Sequence, residues 1–268
     1  MKNFKKYLFG LLVIAPLFAV LMSCNDSEDQ TQGTSKVAVR MTDAPGDYDE
    51  VNVEVLDVMI KGSSDAGDNG WVSLGNIQAG VYNLLDLTGG INVLLGENTI
   101  PSGQLSQIRL VLGDENTVVK DGVTYPLNTP SAQQSGLKIQ VNQMLQPGGT
   151  YNFLLDFDVA HSVVVEAGGS GNYNLHPVIR VTTEATSGAI KGTISPIDVQ
   201  TLVAVQVNGT AVSAYTNEAG VFQLNGIPSG TYTVTVTPDP ASGLAILTID
   251  NVVVVNGEVT NLGNLVLQ

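Results

Sequence analysis

The chain has 268 residues with 11 basic and 25 acidic side chains, a formal net charge of −14, and a single cysteine. One cysteine excludes a disulfide framework and a thiolate metal site. The acidic balance excludes nucleic acid as a partner, because non-specific binding to phosphate rests on Lys and Arg.

Lys2, Lys5 and Lys6 precede an apolar run from Leu8 to Met22, interrupted only by Gly10 and Pro16. The run is short for a transmembrane helix and has the layout of a signal peptide. It ends in Leu21-Met22-Ser23-Cys24, which resembles the bacterial lipobox, with Met22 where a small residue is usual. The resemblance implies that residues 1–23 are removed and that Cys24 is acylated. The alternative is an uncleaved anchor helix with an incidental cysteine, and either way the remainder lies outside the cytoplasm. Removing residues 1–23 leaves 8 basic against 25 acidic residues, a net charge of −17. Residues 24–35 carry no aliphatic or aromatic side chain after Cys24 and read as a flexible tether. Its acidic cluster Asp26, Glu28 and Asp29 resembles a signal for display on the outer face of the outer membrane.

From Lys36 onward the pattern is period-two strands between Gly, Pro, Asn and Asp turns. Tyr151, Phe153, Leu155, Phe157 and Val159 alternate with residues that are polar except for Leu154; Tyr232, Val234 and Val236 alternate with four threonines. Only 84–95 has room for a short helix. Pro101-Ser102-Gly103, Pro147-Gly148-Gly149 and Pro228-Ser229-Gly230 read as one turn device, in which proline fixes one dihedral and glycine takes a positive one. The small polar stretch Glu184–Gly188 divides a first domain, 36–184, from a second, 188–268. The expected fold is all-β, two β-sandwich domains after the tether.

Two resemblances bear on these domains. Met41-Thr42-Asp43-Ala44-Pro45, Leu84-Leu85-Asp86-Leu87, Ile108-Arg109-Leu110-Val111-Leu112, Leu155-Asp156-Phe157-Asp158 and Pro177-Val178-Ile179-Arg180-Val181 make the first similar to an uncharacterised family of prokaryotic lipoproteins, domain of unknown function 4382. That family implies no activity. Gly188–Ile194, Thr216–Phe222, Ile227–Tyr232 and Val255–Thr260 make the second resemble the carboxypeptidase regulatory-like family, a seven-stranded sandwich related to transthyretin and starch-binding folds. That resemblance implies a hairpin at Thr216–Phe222, a backbone need at Gly220, core roles for Phe222 and Tyr232, and no catalytic residue.

Candidate chemistry is sparse. His161 and His176 have no recognisable nucleophile partner, since adjacent Ser162 points to the opposite strand face. Asp156 and Asp158 share a strand face and form a candidate binding face; the competing readings are pairing with Arg40, Arg109 or Arg180, a cation site, or catalysis. Asp43, Asp47, Asp49 and Glu50 on one turn are candidate calcium ligands, and Asp65–Gly70 is a second acidic loop, though neither has EF-hand spacing. No other cofactor is implied. Trp71, Tyr48, Tyr82, Tyr125 and Tyr173 read as core or scattered surface aromatics rather than a sugar-stacking platform. Lys191, out of phase with Ile190 and Ile194, is expected to face outward, which argues against an isopeptide bond to Asn264.

The functional expectation is a non-catalytic, lipid-anchored cell-envelope protein, acting as a binding, adhesion or structural module with the membrane and a glycan or protein as partners. The alternative is a carbohydrate-binding accessory of a glycan uptake or degradation system.

Overall fold

The structure, a computed structural model, describes residues 33–268 apart from 45, 63–66, 130–135, 167–171 and 185. The expected signal peptide, Cys24, most of the tether and Asp65 lie outside the described residues. Strands make up 64% of the described residues and helix 5%, an all-β sandwich architecture.

The first part runs β1 (Thr34–Ala44), β2 (Glu50–Lys61), β3 (Val72–Ser73), β4 (Gly80–Asn83), β5 (Val93–Pro101), β6 (Gly103–Leu112), β7 (Thr117–Lys120), β8 (Val123–Asn128), β9 (Leu137–Leu145), β10 (Thr150–Asp158), β11 (Val163–Val165), β12 (Tyr173–Leu175) and β13 (Ile179–Thr183). One sheet has the order β13-β10-β1-β5, and the other β11-β12-β8-β7-β2-β6-β9 with β3 and β4 also on β2. Val37, Val39 and Met41 of β1 and Phe153, Leu155 and Phe157 of β10 are fully buried in one cluster with Val51, Val53 and Val55 of β2 and Ile108 and Leu110 of β6. The period-two alternation of β10 is therefore an inside and an outside face.

Two bulges adjust that alternation. The register of β2 shifts between Val55 and Asp57, and that of β6 between Leu105 and Gln107. An extra residue moves the buried set from odd to even positions, so Val58 follows Val55 inward and Leu56 is left exposed. The expected helix within 84–95 is a single 3-10 turn, Leu84–Leu87, whose Asn83 cap accepts the Leu85 N–H.

The first strand begins at Thr34, two residues inside the stretch expected to be tether. Ser35 is fully buried; its hydroxyl bonds the Ser102 hydroxyl at 2.7 Å and donates to the Gln146 carbonyl at 2.8 Å. A small hydroxyl satisfied on both sides is buried without apolar surface, a role that composition does not signal.

The second part runs β14 (Gly188–Ser195), β15 (Thr201–Val207), β16 (Thr210–Tyr215), β17 (Val221–Ile227), β18 (Gly230–Pro238), β19 (Leu247–Val254) and β20 (Val259–Val266). These seven strands form a three-stranded sheet, β17-β14-β20, and a four-stranded sheet, β16-β15-β18-β19. Ile190, Ile194, Phe222 and Leu224 of the first pack in one cluster with Val203, Val205, Val234 and Val236 of the second. Lys191 is exposed, as its phase predicts.

The hairpin expected at Thr216–Phe222 is not one. β16 pairs with β15 and β17 with β14, so residues 216–220 cross from one sheet to the other. The turn itself is tight: Asn217 Oδ1 accepts the N–H groups of Ala219 and Val221, and Gly220 donates to the Asn217 carbonyl. Gly220 has φ +72°, and a Cβ there would meet the Ile194 carbonyl at 2.5 Å. The turn thus docks on the end of β14, which sends Phe222 into the core and away from β16.

The three Pro–Gly turns also differ. Gly103 and Gly148 take positive φ, whereas Gly230 does not. Gly230 instead gives room to the Tyr232 ring, 3.3 Å from where its Cβ would stand, while Tyr232 donates its hydroxyl to the Pro228 carbonyl.

Candidate functional site

The outer face of the sheet β13-β10-β1-β5 carries the even-numbered side chains of β10. Asp156 stands directly across from Arg180 in the antiparallel register of β10 and β13. The Arg180 Nη2 donates to Asp156 Oδ2 at 2.5 Å and to the Asn225 carbonyl at 2.7 Å, and Nη1 donates to the Gly226 carbonyl. One guanidinium therefore joins a carboxylate of the first sandwich to two backbone oxygens on β17 of the second. Its planar fork suits this divided task, which an ammonium would serve less well. Beside it, a Cβ on Gly226 would overlap the Thr182 side chain at 2.1 Å, so glycine is what permits the approach.

Burial pushes the Asp156 carboxyl above its ordinary range, the Arg180 charge and hydrogen bond pull it back, and Asp158 adds to the rise. Asp158 does share that face, but its work is local. It caps the four-residue helix α1 (Val159–Ser162), accepting the His161 N–H at 3.1 Å and holding the ring Nδ1 at 2.8 Å. Of the three candidate arginine partners, only Arg180 reaches this pair. Arg40 donates to Asn92, and Arg109 to Asp68.

The four candidate calcium ligands do not form a common site. Asp43 is buried and accepts the Val159 N–H, Asp47 pairs with Lys120, Asp49 accepts the Gly122 N–H, and Glu50 accepts from Asn52. Each carboxylate is aimed at a different neighbour. Among the described residues no three His, Cys, Asp or Glu side chains gather in a way that would hold a metal ion.

The aromatic residues are less scattered than expected. Tyr173 stands 6.3 Å from Tyr48, edge-on, and 5.1 Å from Tyr125, with Lys120 over the Tyr48 ring at 5.7 Å. Burial raises the Tyr48 phenol, with Tyr173 adding to the effect. Tyr125 and Tyr173 meet because β8 and β12 pair in parallel, a contact with no local signal in the sequence. Trp71 lies beneath the Arg109 guanidinium at 4.2 Å, with Lys61 also over its ring. Asp68 closes this group by accepting from both Arg109 and Lys138.

A model of a protein family described as a domain of unknown function, DUF4382, matches residues 34–177. No curated protein matches the chain. Among solved structures, the Bacillus anthracis TIE protein is similar at 11% identity and a TM-score of 0.24, over 88% of this chain and 34% of that one. The chain thus spans about a third of that protein's length. BcpA, the major pilin subunit of Bacillus cereus, is similar at 12% identity and TM-score 0.23, over 88% and 70% of the two chains. The shaft pilin SpaA from Lactobacillus rhamnosus GG is similar at 8% identity and TM-score 0.21, over 87% and 97%.

Proposed function

The chain belongs to the DUF4382 family, and we propose that it is a non-catalytic, lipid-anchored cell-envelope protein whose two sandwiches act as one binding, adhesion or structural module. The observation that carries this reading is the Arg180 bridge. A surface module that bears load or presents a ligand site benefits from a fixed junction, and here one half-buried guanidinium ties the two sandwiches across their interface. The connection between β13 and β14 is equally spare. Ser187 donates to the Thr183 carbonyl and accepts with its own carbonyl from Gly257, so the small polar residues there form a turn.

A non-catalytic role is supported by how the reactive side chains are used. His161 is held by Asp158 and faces solvent, while the Ser162 hydroxyl accepts the Val178 N–H and does not face the imidazole. The anchoring part rests on the basic, apolar and cysteine-terminated start of the sequence, with acylation of Cys24 and display at the outer membrane. The second sandwich, by its motifs and seven strands, fits a carboxypeptidase regulatory-like domain.

The test is metabolic labelling with a fatty-acid analogue followed by membrane fractionation. The native chain is expected to carry label and sediment with membrane. Cys24→Ala is expected to lose the label and appear as soluble or unprocessed protein, because one apolar segment lacks the hold of the added lipid. Label on the variant would overturn the anchor.

A further inference from the structure

We propose that the cleft between the two sandwiches is a binding site for a neutral saccharide, an inference that goes beyond the anchored-module reading. The cleft has a volume of about 140 Å³. A dry cavity of about 150 Å³ takes up benzene, so this open cleft admits the edge of one ring-sized ligand, whose remaining substituents project through the opening.

Both sandwiches build it. Arg40 of β1 and Asn152 of β10 come from the outer face of the first sandwich, Asn92 from the loop before β5, Glu184 from the connection, and Gln223 and Asn225 from β17. Leu154, the apolar exception in the alternation of β10, lies on the same wall. The loop approaches β17 closely because it is glycine: Gly90 has φ +93°, and a Cβ there would meet Gln223 Oε1 at 2.5 Å.

The hydrogen bonds within the cleft point to the class of ligand. Asn92 uses its oxygen to accept from Arg40, Asn152 its nitrogen to donate to Glu184, and Gln223 its nitrogen to donate to the Asn225 oxygen. Each amide is held in place by one half, and the other half is left for a ligand. The remaining set mixes donors, the Asn92 and Asn225 nitrogens, with acceptors, the Asn152 and Gln223 oxygens. A row of hydroxyls, each able to donate and accept, is the complement of such a set. An anion would meet two carboxylates at the wall, Glu184 and Glu258, against the single cation Arg40. The net charge of −17 outside the signal segment also opposes an anionic glycan.

The experiment is ligand-detected NMR on the full-length protein. The probes are methyl glycosides of glucose, galactose, mannose and N-acetylglucosamine, beside sialic acid and a sulfated disaccharide. At least one neutral glycoside is expected to bind, and Asn152→Ala and Gln223→Ala are each expected to weaken it roughly three- to tenfold, the loss of one or two neutral hydrogen bonds. Val259→Trp, at an exposed position on the rim, leaves the amides untouched and is expected to block binding. An unchanged urea midpoint followed by far-UV circular dichroism confirms that each variant is folded, and Val259→Trp decides the matter if an amide variant is not. No neutral glycoside bound, binding of the anionic probes alone, or full affinity in folded variants would each overturn the proposal.

Discussion

Seven of the eight basic residues that follow Cys24 lie in the first sandwich and its edge strand β13, and the second has only Lys191. In the first, each of the seven reaches an oxygen: Lys36 on Glu97, Arg40 on Asn92, Lys61 on the Gly67 carbonyl, Arg109 and Lys138 on Asp68, Lys120 on Asp47, and Arg180 on Asp156. In the second, Lys191 is exposed, and two of the acids serve the backbone and a hydroxyl instead. Asp239 caps a short turn through the Ala241 N–H, and Asp250 accepts from Thr233. Seven strands around Phe222 therefore close with an apolar core and side-chain-capped turns. The ion pairs of the first sandwich mostly fix its loops, since exposed pairs contribute only about 0–1 kcal/mol. Arg180 is the exception because it crosses between the two.

Three measurements break or sharpen this comparison. The largest effect is expected from Phe222→Ala, which empties a fully buried site in the core of the second sandwich and costs about 3–5 kcal/mol. Trp71, the single tryptophan, reports from the first sandwich. If the junction makes one cooperative body, urea unfolding followed by Trp71 fluorescence shifts to a lower midpoint in this variant. A Trp71 transition that stays at the wild-type midpoint separates the sandwiches into independent units.

Next is the bridge. Arg180→Ala leaves Asp156 buried without its cation, expected to cost roughly 2–3 kcal/mol. That is below the range for a fully buried pair because Arg180 is about one-third exposed. Burial raises the Asp156 pKa above its unfolded value of 3.8, so protonation favours the fold. That contribution is complete below pH 3.8 and is lost as pH rises through the raised value. Asp156→Asn has nothing to titrate and is expected to remove this fall from the profile of urea midpoints against pH. A profile unchanged by the substitution refutes the assignment.

The smallest effect concerns Asp68. Hydrogen bonds from Lys138 and Arg109 hold its carboxyl below the ordinary value of 3.8. Its pairing therefore contributes above pH 3.8 and is lost as pH falls through the depressed value. Because Arg109 lies over Trp71, this loss is expected as a fluorescence change with a midpoint below 3.8, absent in Asp68→Asn. The same change in both proteins would place its origin elsewhere.

The sequence by itself determined the class of fold and, for most strands, which side chains face in. The alternation of 150–159 and 231–237, the outward Lys191 and the backbone need at Gly220 all follow from local geometry. Successive side chains of a strand point to opposite faces, and a positive φ is a property of one residue. Partners were another matter. Every strand edge offers the same row of N–H and C=O groups, so the pleat fixes a face without fixing a neighbour. Only the tertiary structure decided that β1 lies parallel to β10, more than a hundred residues away, and that 216–220 crosses between sheets rather than turning back. It alone chose Arg180 from three arginines in similar phase, dispersed the four carboxylates of 43–50, and gathered Tyr48, Tyr125 and Tyr173. The cleft with its half-satisfied amides is likewise built from residues 40, 92, 152, 184, 223 and 225, a set with no spacing to read, because sheets of two sandwiches had to meet before it existed.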